Sequence, residues 1–173
     1  KQQLSFLGAT TDLTGPLVER LIERYVSEQV HDALLFPRLC GLHRSEDAEL
    51  DRRIRQMENI DVSQVGIVIE GGRKGKGDLT QRLNKGVEAF RQMGVASSPH
   101  EMLEILLSTE QAVTEAVTSS PPKSPQAVHG EKHPRVMTVN ADVLVSLLLV
   151  VVIRSQVRHL QARLTYMQRF IYI

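Results

Sequence analysis

Apolar residues recur at three- and four-residue spacing along most of the chain, the pattern of helices with one buried face. After Thr14-Gly15-Pro16, where proline is preset for a first helical turn, Leu17, Val18, Leu21, Ile22, Tyr25, Val26, Val30, Ala33 and Leu34 share one face. Pro37 and Gly41 are expected to end that helix. A second helix is predicted over Ser45 to Asn59, with Leu50, Ile54 and Met57 on one stripe. A third, Asp78 to Met93, carries Leu79, Leu83, Val87 and Phe90, and Gly94 closes it. A fourth opens on Ser98-Pro99-His100-Glu101, a capping box with proline first, and runs through Met102, Leu103, Leu106, Leu107, Val113 and Val117.

Residues 119–139 break the pattern with Ser-Ser-Pro-Pro-Lys-Ser-Pro and His-Gly-Glu-Lys-His-Pro, and are expected to form an exposed, mobile loop. Beyond them Asn140 is a good N-cap for an apolar helix from Ala141 to about Arg154, and a last helix spans about Val157 to Phe170. The run Val143 to Ile153 has 11 residues between Asp142 and Arg154, too few for the ~20 of a membrane span. Its valines favour a strand, but the preferred reading is a helix apolar all round, in the middle of a bundle. The one strand candidate is Gly66 to Glu70. The expected fold is all-α: a layered bundle of about six helices over 14–173, with a lead-in at 1–13 and one long Pro-rich loop.

Composition narrows the chemistry. At 173 residues the chain is one domain, or one plus a fragment, and its net charge of +1 gives no general attraction to nucleic acid or anionic lipid. Three Tyr, four Phe and no Trp leave little for base stacking. Cys40 is the only cysteine, so no intrachain disulfide can form; this suits a reducing compartment. The chain begins at Lys1 without a secretory pattern and is expected to be a segment of something longer.

Three catalytic outlines fail on spacing. Gly72 and Gly77 have the separation of a phosphate-binding loop, but Asp78 stands where its lysine belongs; Arg73, Lys74 and Lys76 read as decoration of a solvated loop. His129 and His133, with Glu131 between, lack the helix and the adjacent glutamate of a zincin. No Gly-x-Ser-x-Gly elbow is present. No metal and no cofactor is therefore assigned. Asp142 remains, in the first turn of the most apolar helix, where the helix dipole alone would favour a carboxylate by ~0.3–1 kcal/mol.

The segment Ala141-Asp142-Val143-Leu144-Val145-Ser146 through Ile153, with Leu160-Gln161 and Leu164-Thr165-Tyr166-Met167-Gln168-Arg169-Phe170, resembles the vacuolar-protein-sorting-nine domain. That family supplies guanine nucleotide exchange factors for Rab-five-type GTPases. Its hallmark, Ala-Asp-Asp, two apolar residues, Pro, an apolar helix, Leu-Gln and Tyr-Ile-x-x-Phe, aligns without a gap from Ala141 to Phe170. Here Val143 replaces the second aspartate and Ser146 the proline, and Val157 and Arg158 replace the paired prolines between the last two helices. The family's following segment, Gly-Glu and then a Tyr and a Thr, does not appear before Ile173, so the domain reads as incomplete and is expected to expose an apolar seam, with marginal stability or self-association.

The resemblance implies a Rab-five-type GTPase partner contacted by Asp142, Val143 and Ser146, with Asp142 as an acidic finger that takes the phosphate-binding lysine as GDP leaves. Tyr166 and Phe170 are expected to pack the last helix on the core. It also implies a cytoplasmic protein recruited peripherally to endosomal membranes through other parts of its parent. A second reading is a non-catalytic Rab-binding or scaffold module of the same fold.

Overall fold

The computed structural model describes residues 3–67, 69, 72–118 and 140–171, mostly helix, with no strand among them. Helix α1 (Gln3–Val30) passes through a π-helical turn (His31–Leu35) into α2 (Phe36–Leu42). Next come α3 (Arg44–Gln56), a 3₁₀ turn (Val62–Val65), α4 (Gly72–Arg91) and a short 3₁₀ turn (Gln92–Gly94). Helices α5 (Pro99–Thr118), α6 (Ala141–Ser155) and α7 (Leu160–Phe170) complete the bundle. The expected all-α class holds.

Helix α4 is the hub, packed along α5 on one side and α6 on the other, while α7 lies against α5, α2 and α3. The four apolar residues predicted for it, Leu79, Leu83, Val87 and Phe90, are all buried. Gly86 permits the close approach of three helices: a Cβ there would stand 3.2 Å from a methyl of Val113 on α5 and 3.4 Å from one of Val151 on α6. The core then continues through Met102, Leu147, Val150 and Tyr166 to Ile54 and Val62, so the helices upstream of α4 share it.

Several boundaries differ from expectation. The first helix begins at Gln3 rather than Thr14, with Pro16 inside it. Pro37 does not stop the chain: it is the second residue of α2, where a missing N–H costs little. Helix α4 starts at Gly72, so the presumed glycine-rich loop forms its first turns; Lys76, instead of decorating a loop, holds Asp61 at 2.7 Å. Of the strand candidate, Val68 and Glu70 lie outside the described residues, Gly66 is a left-handed turn residue at φ 76° and Ile67 is buried without a strand partner. The Pro-rich segment 119–139, with His129 and His133, also lies outside the described residues. The capping box at α5 forms with a shift: Ser98 Oγ accepts from Glu101 N–H at 3.2 Å, but the Glu101 carboxylate reaches back to Ser97 N–H at 2.9 Å.

Two faces expected to be buried are open. Leu17, Val18, Leu21, Ile22, Tyr25 and Val26 share a face of α1 as predicted, yet each is 50–67 % exposed, because α1 packs chiefly on the π-turn that follows it. Helix α6 is not apolar-buried all round either: Leu147, Val150, Val151 and Ile153 are inside, while Val145 and Leu149 face solvent.

The π-turn carries His31 into the core. Its ring stacks on Phe36 at 5.0 Å and leans on Tyr166 at 5.2 Å. Burial lowers its pKa below the usual 6.5; Asp32 and Glu101 oppose that shift and Arg163 reinforces it. Below pH 6.5 the unfolded chain takes up a proton that the folded one resists, so this contribution is complete above pH 6.5 and is lost as pH falls. Urea midpoints should therefore drop between pH 7.5 and 5.5, and His31→Phe should flatten that slope; an unchanged slope would mean His31 is not the group responsible.

Candidate functional site

Asn140 fixes the start of α6. Its extended backbone (φ −91°, ψ 165°) and a side-chain oxygen accepting Val143 N–H at 2.8 Å close the first turn, a cap worth ~1 kcal/mol. Asp142 follows two residues on, exposed in a turn whose free N–H groups favour negative charge. Helical spacing puts Asp142, Val145, Ser146 and Leu149 along one edge. On that edge Val145 is 64 % and Leu149 51 % exposed, and Ser146 is half-buried. Val143 turns the other way and packs against the core. The structure thus brings Asp142 and Ser146 together beside an open apolar strip and sets Val143 apart from them.

What gives the edge a fixed position is the rest of α6. Leu147, Val150 and Val151 anchor it against α4. At its far end Arg154 donates to Ile60 C=O at 3.0 Å, tying α6 to the segment after α3, and Gln156 caps it in the left-handed conformation at φ 55°. A carboxylate at the first turn of a helix held at both ends points where the backbone puts it.

Three buried polar groups secure α7, and the helical pattern did not single them out. Asp47 on α3 accepts Gln161 N–H at 2.8 Å and so closes the N-terminus of α7, whose N-cap residue His159 makes no side-chain bond of its own. Arg163 reaches across to Gly94 C=O at 2.7 Å and to Arg158 C=O at 3.2 Å, with its guanidinium 4.5 Å from the Phe36 ring centroid. Burial lowers the Arg163 pKa against the pull of Cys40 and Asp47. His31 is the third. One sequence signal existed: Asp47 is one turn before Leu50 and Asp51 and two before Ile54, inside the apolar face of α3. Tyr166 is fully buried, as expected of a packing residue, and touches Phe170 at 5.5 Å on the rim.

Among the described residues no group of three or more His, Cys, Asp or Glu side chains could hold a metal ion, and no single helix is long and apolar enough to cross a membrane.

The family model for the vacuolar sorting protein 9 (VPS9) domain matches residues 83–172, more than half of the chain. This protein belongs to that family. The match spans the second half of α4 with α5, α6 and α7, the helices that carry Asp142 and hold it in place. At the level of the family, membership implies guanine nucleotide exchange on small GTPases of the Rab-five type. No solved structure matches the chain.

Proposed function

We propose that this chain is a guanine nucleotide exchange factor for a Rab-five-type GTPase and that Asp142 is its acidic finger. The observation that carries the reading is an exposed carboxylate on the capped first turn of a rigidly packed helix, flanked by exposed Val145 and Leu149. A GTPase holds GDP largely through phosphate contacts with a loop lysine, backbone amides and Mg²⁺. An exchange factor speeds release only by binding the nucleotide-free state better than the loaded one. The Asp142 carboxylate would supply that difference through a charge-assisted bond to the lysine as the phosphates leave it. Val145, Ser146 and Leu149 would seat the GTPase switch region. The protein would act in the cytoplasm, peripherally at endosomal membranes, in endocytic vesicle transport.

A non-catalytic Rab-binding module is the second reading, favoured by two departures from the family hallmark, Val143 for its second aspartate and Ser146 for its proline. Release of fluorescent GDP from a panel of Rab GTPases separates the two. Acceleration confined to a Rab-five-type member supports exchange; saturable binding of the nucleotide-free GTPase without acceleration supports the module; neither result would end both.

A further inference from the structure

The glycine-rich stretch Gly72-Arg73-Lys74-Gly75-Lys76-Gly77-Asp78, a loop by its spacing, is helix in the structure and supports itself poorly. It contains no apolar residue, and the first side chain that α4 sends into the core is Leu79. Its first turn has no acidic residue, while Arg73, Lys74 and Lys76 stand at the positive end of the helix dipole. Gly75 and Gly77 each disfavour helix about fivefold relative to alanine. Packing does not require the second of them: a Cβ on Gly77 would meet nothing within 4 Å, and its φ is not in the left-handed region.

Among the described residues, one side-chain tie leaves these turns for another element: Lys76 Nζ on Asp61 Oδ2 at 2.7 Å, with both side chains partly exposed. The receiving side is held independently of it. Asp61 Oδ1 accepts Ser63 N–H at 2.9 Å and Ser63 Oγ–H at 2.7 Å, and Asp61 N–H donates to Gln64 Oε1 at 2.7 Å. The preceding Ile60 C=O accepts from Arg154 of α6 at 3.0 Å. Lys76 first and Ser63 second hold the Asp61 carboxyl well below the usual carboxylate range, so the acceptor stays charged through mildly acid pH. Lys76 has no such scaffold of its own. A segment with few apolar contacts opens without the rest of the molecule.

We propose that the first two turns of α4 form a salt-sensitive strap, helical while Lys76 is clamped on Asp61 and a loop when it is released. From Leu79 onward α4 stays folded in both states. The loop expected from the sequence and the helix of the structure are then two states of one segment. Screening by salt, or loss of either charge, favours the open state and sets Arg73, Lys74 and Lys76 on a flexible glycine-rich segment. The device does not rest on the exchange reading.

Amide hydrogen exchange of the ¹⁵N-labelled chain tests it. The amides of Gly75 to Asp78 should be protected at least about 100-fold less than those of Val87 and Phe90, as expected of a local opening. Gly77→Ala should raise their protection about fivefold. Asp61→Asn leaves the sequence of α4 untouched and keeps an oxygen for Ser63. It should lower protection about two- to fivefold, the range of an exposed ion pair. Raising salt from about 0.05 to 0.5 M should lower it by a similar factor in the parent and no longer do so in Asp61→Asn. Val87 and Phe90 should hold steady throughout. Protection at Gly75 to Asp78 equal to that at Phe90 would make α4 a single unit and overturn the proposal. Protection indifferent to both Asp61→Asn and salt would overturn it as well, since the clamp would then hold nothing.

Discussion

Asp142→Ala should reduce the stimulated rate of GDP release by ~10–100-fold and leave the fold intact. The size follows from what is removed: a hydrogen bond to a charged group contributes ~1.5–3 kcal/mol, and each ~1.4 kcal/mol is tenfold in rate. The insensitivity of the fold follows from where the residue stands. Asp142 is exposed, and the first turn of α6 is already closed by Asn140. Its removal therefore costs only the dipole contribution, ~0.3–1 kcal/mol. Stopped-flow release of fluorescent GDP from the responsive Rab, beside thermal denaturation of the same samples, reads both quantities. A variant that keeps full exchange would assign the finger to another side chain. One that loses exchange and tens of degrees together would make Asp142 structural.

Leu147→Ala should do the reverse. Leu147 is fully buried, one residue past the Ser146 edge, on the side of α6 that packs into the bundle. Truncation there removes apolar contact and leaves a cavity, a loss of ~2–5 kcal/mol. In a chain of this size, 173 residues, each kcal/mol moves Tm by about 2–4 °C, so the midpoint should fall on the order of 10 °C. At low temperature, where the variant is still folded, its exchange rate should stay within a few-fold of the parent. A loss below about 1 kcal/mol would mean that α6 is not seated in the core as described. The two substitutions, five residues apart on one helix, thus separate the edge proposed to meet a GTPase from the face that fixes its position.

That separation bears on the departures from the family hallmark. Val143 stands where the second aspartate would be, and its side chain packs inward rather than lining the edge with Asp142. In this chain the edge therefore presents one carboxylate, followed by Val145, Ser146 and Leu149. On the proposed reading, Asp142 is the one carboxylate on that edge able to serve as the finger, which is why its substitution carries the largest expected effect on rate.

The sequence by itself determined whatever is settled within one or two turns of chain. Asn140 caps α6 and Ser98 caps α5 because a side-chain oxygen two or three residues from a free N–H needs no other part of the molecule. The spacing of Leu79, Leu83, Val87 and Phe90 placed all four on one buried face of α4 for the same local reason. Asp142 was placed at the start of α6 by that cap, and its exposure on the first turn agrees.

Only the tertiary structure decided what lies against each face. The stripe from Leu17 to Val26 has the same periodicity as that of α4 and remains in solvent, because periodicity orients a face without supplying its partner. Val145 and Leu149 are as apolar as Val150 and Val151 and differ from them only in lying away from α4. Asp47 became the cap of α7 through a bond to Gln161, 114 positions away, and Arg163 found Gly94 across 69. Such bonds form because α7 is pressed against α3 and against the turn after α4 by their apolar neighbours, and that pressing is a property of the assembled bundle.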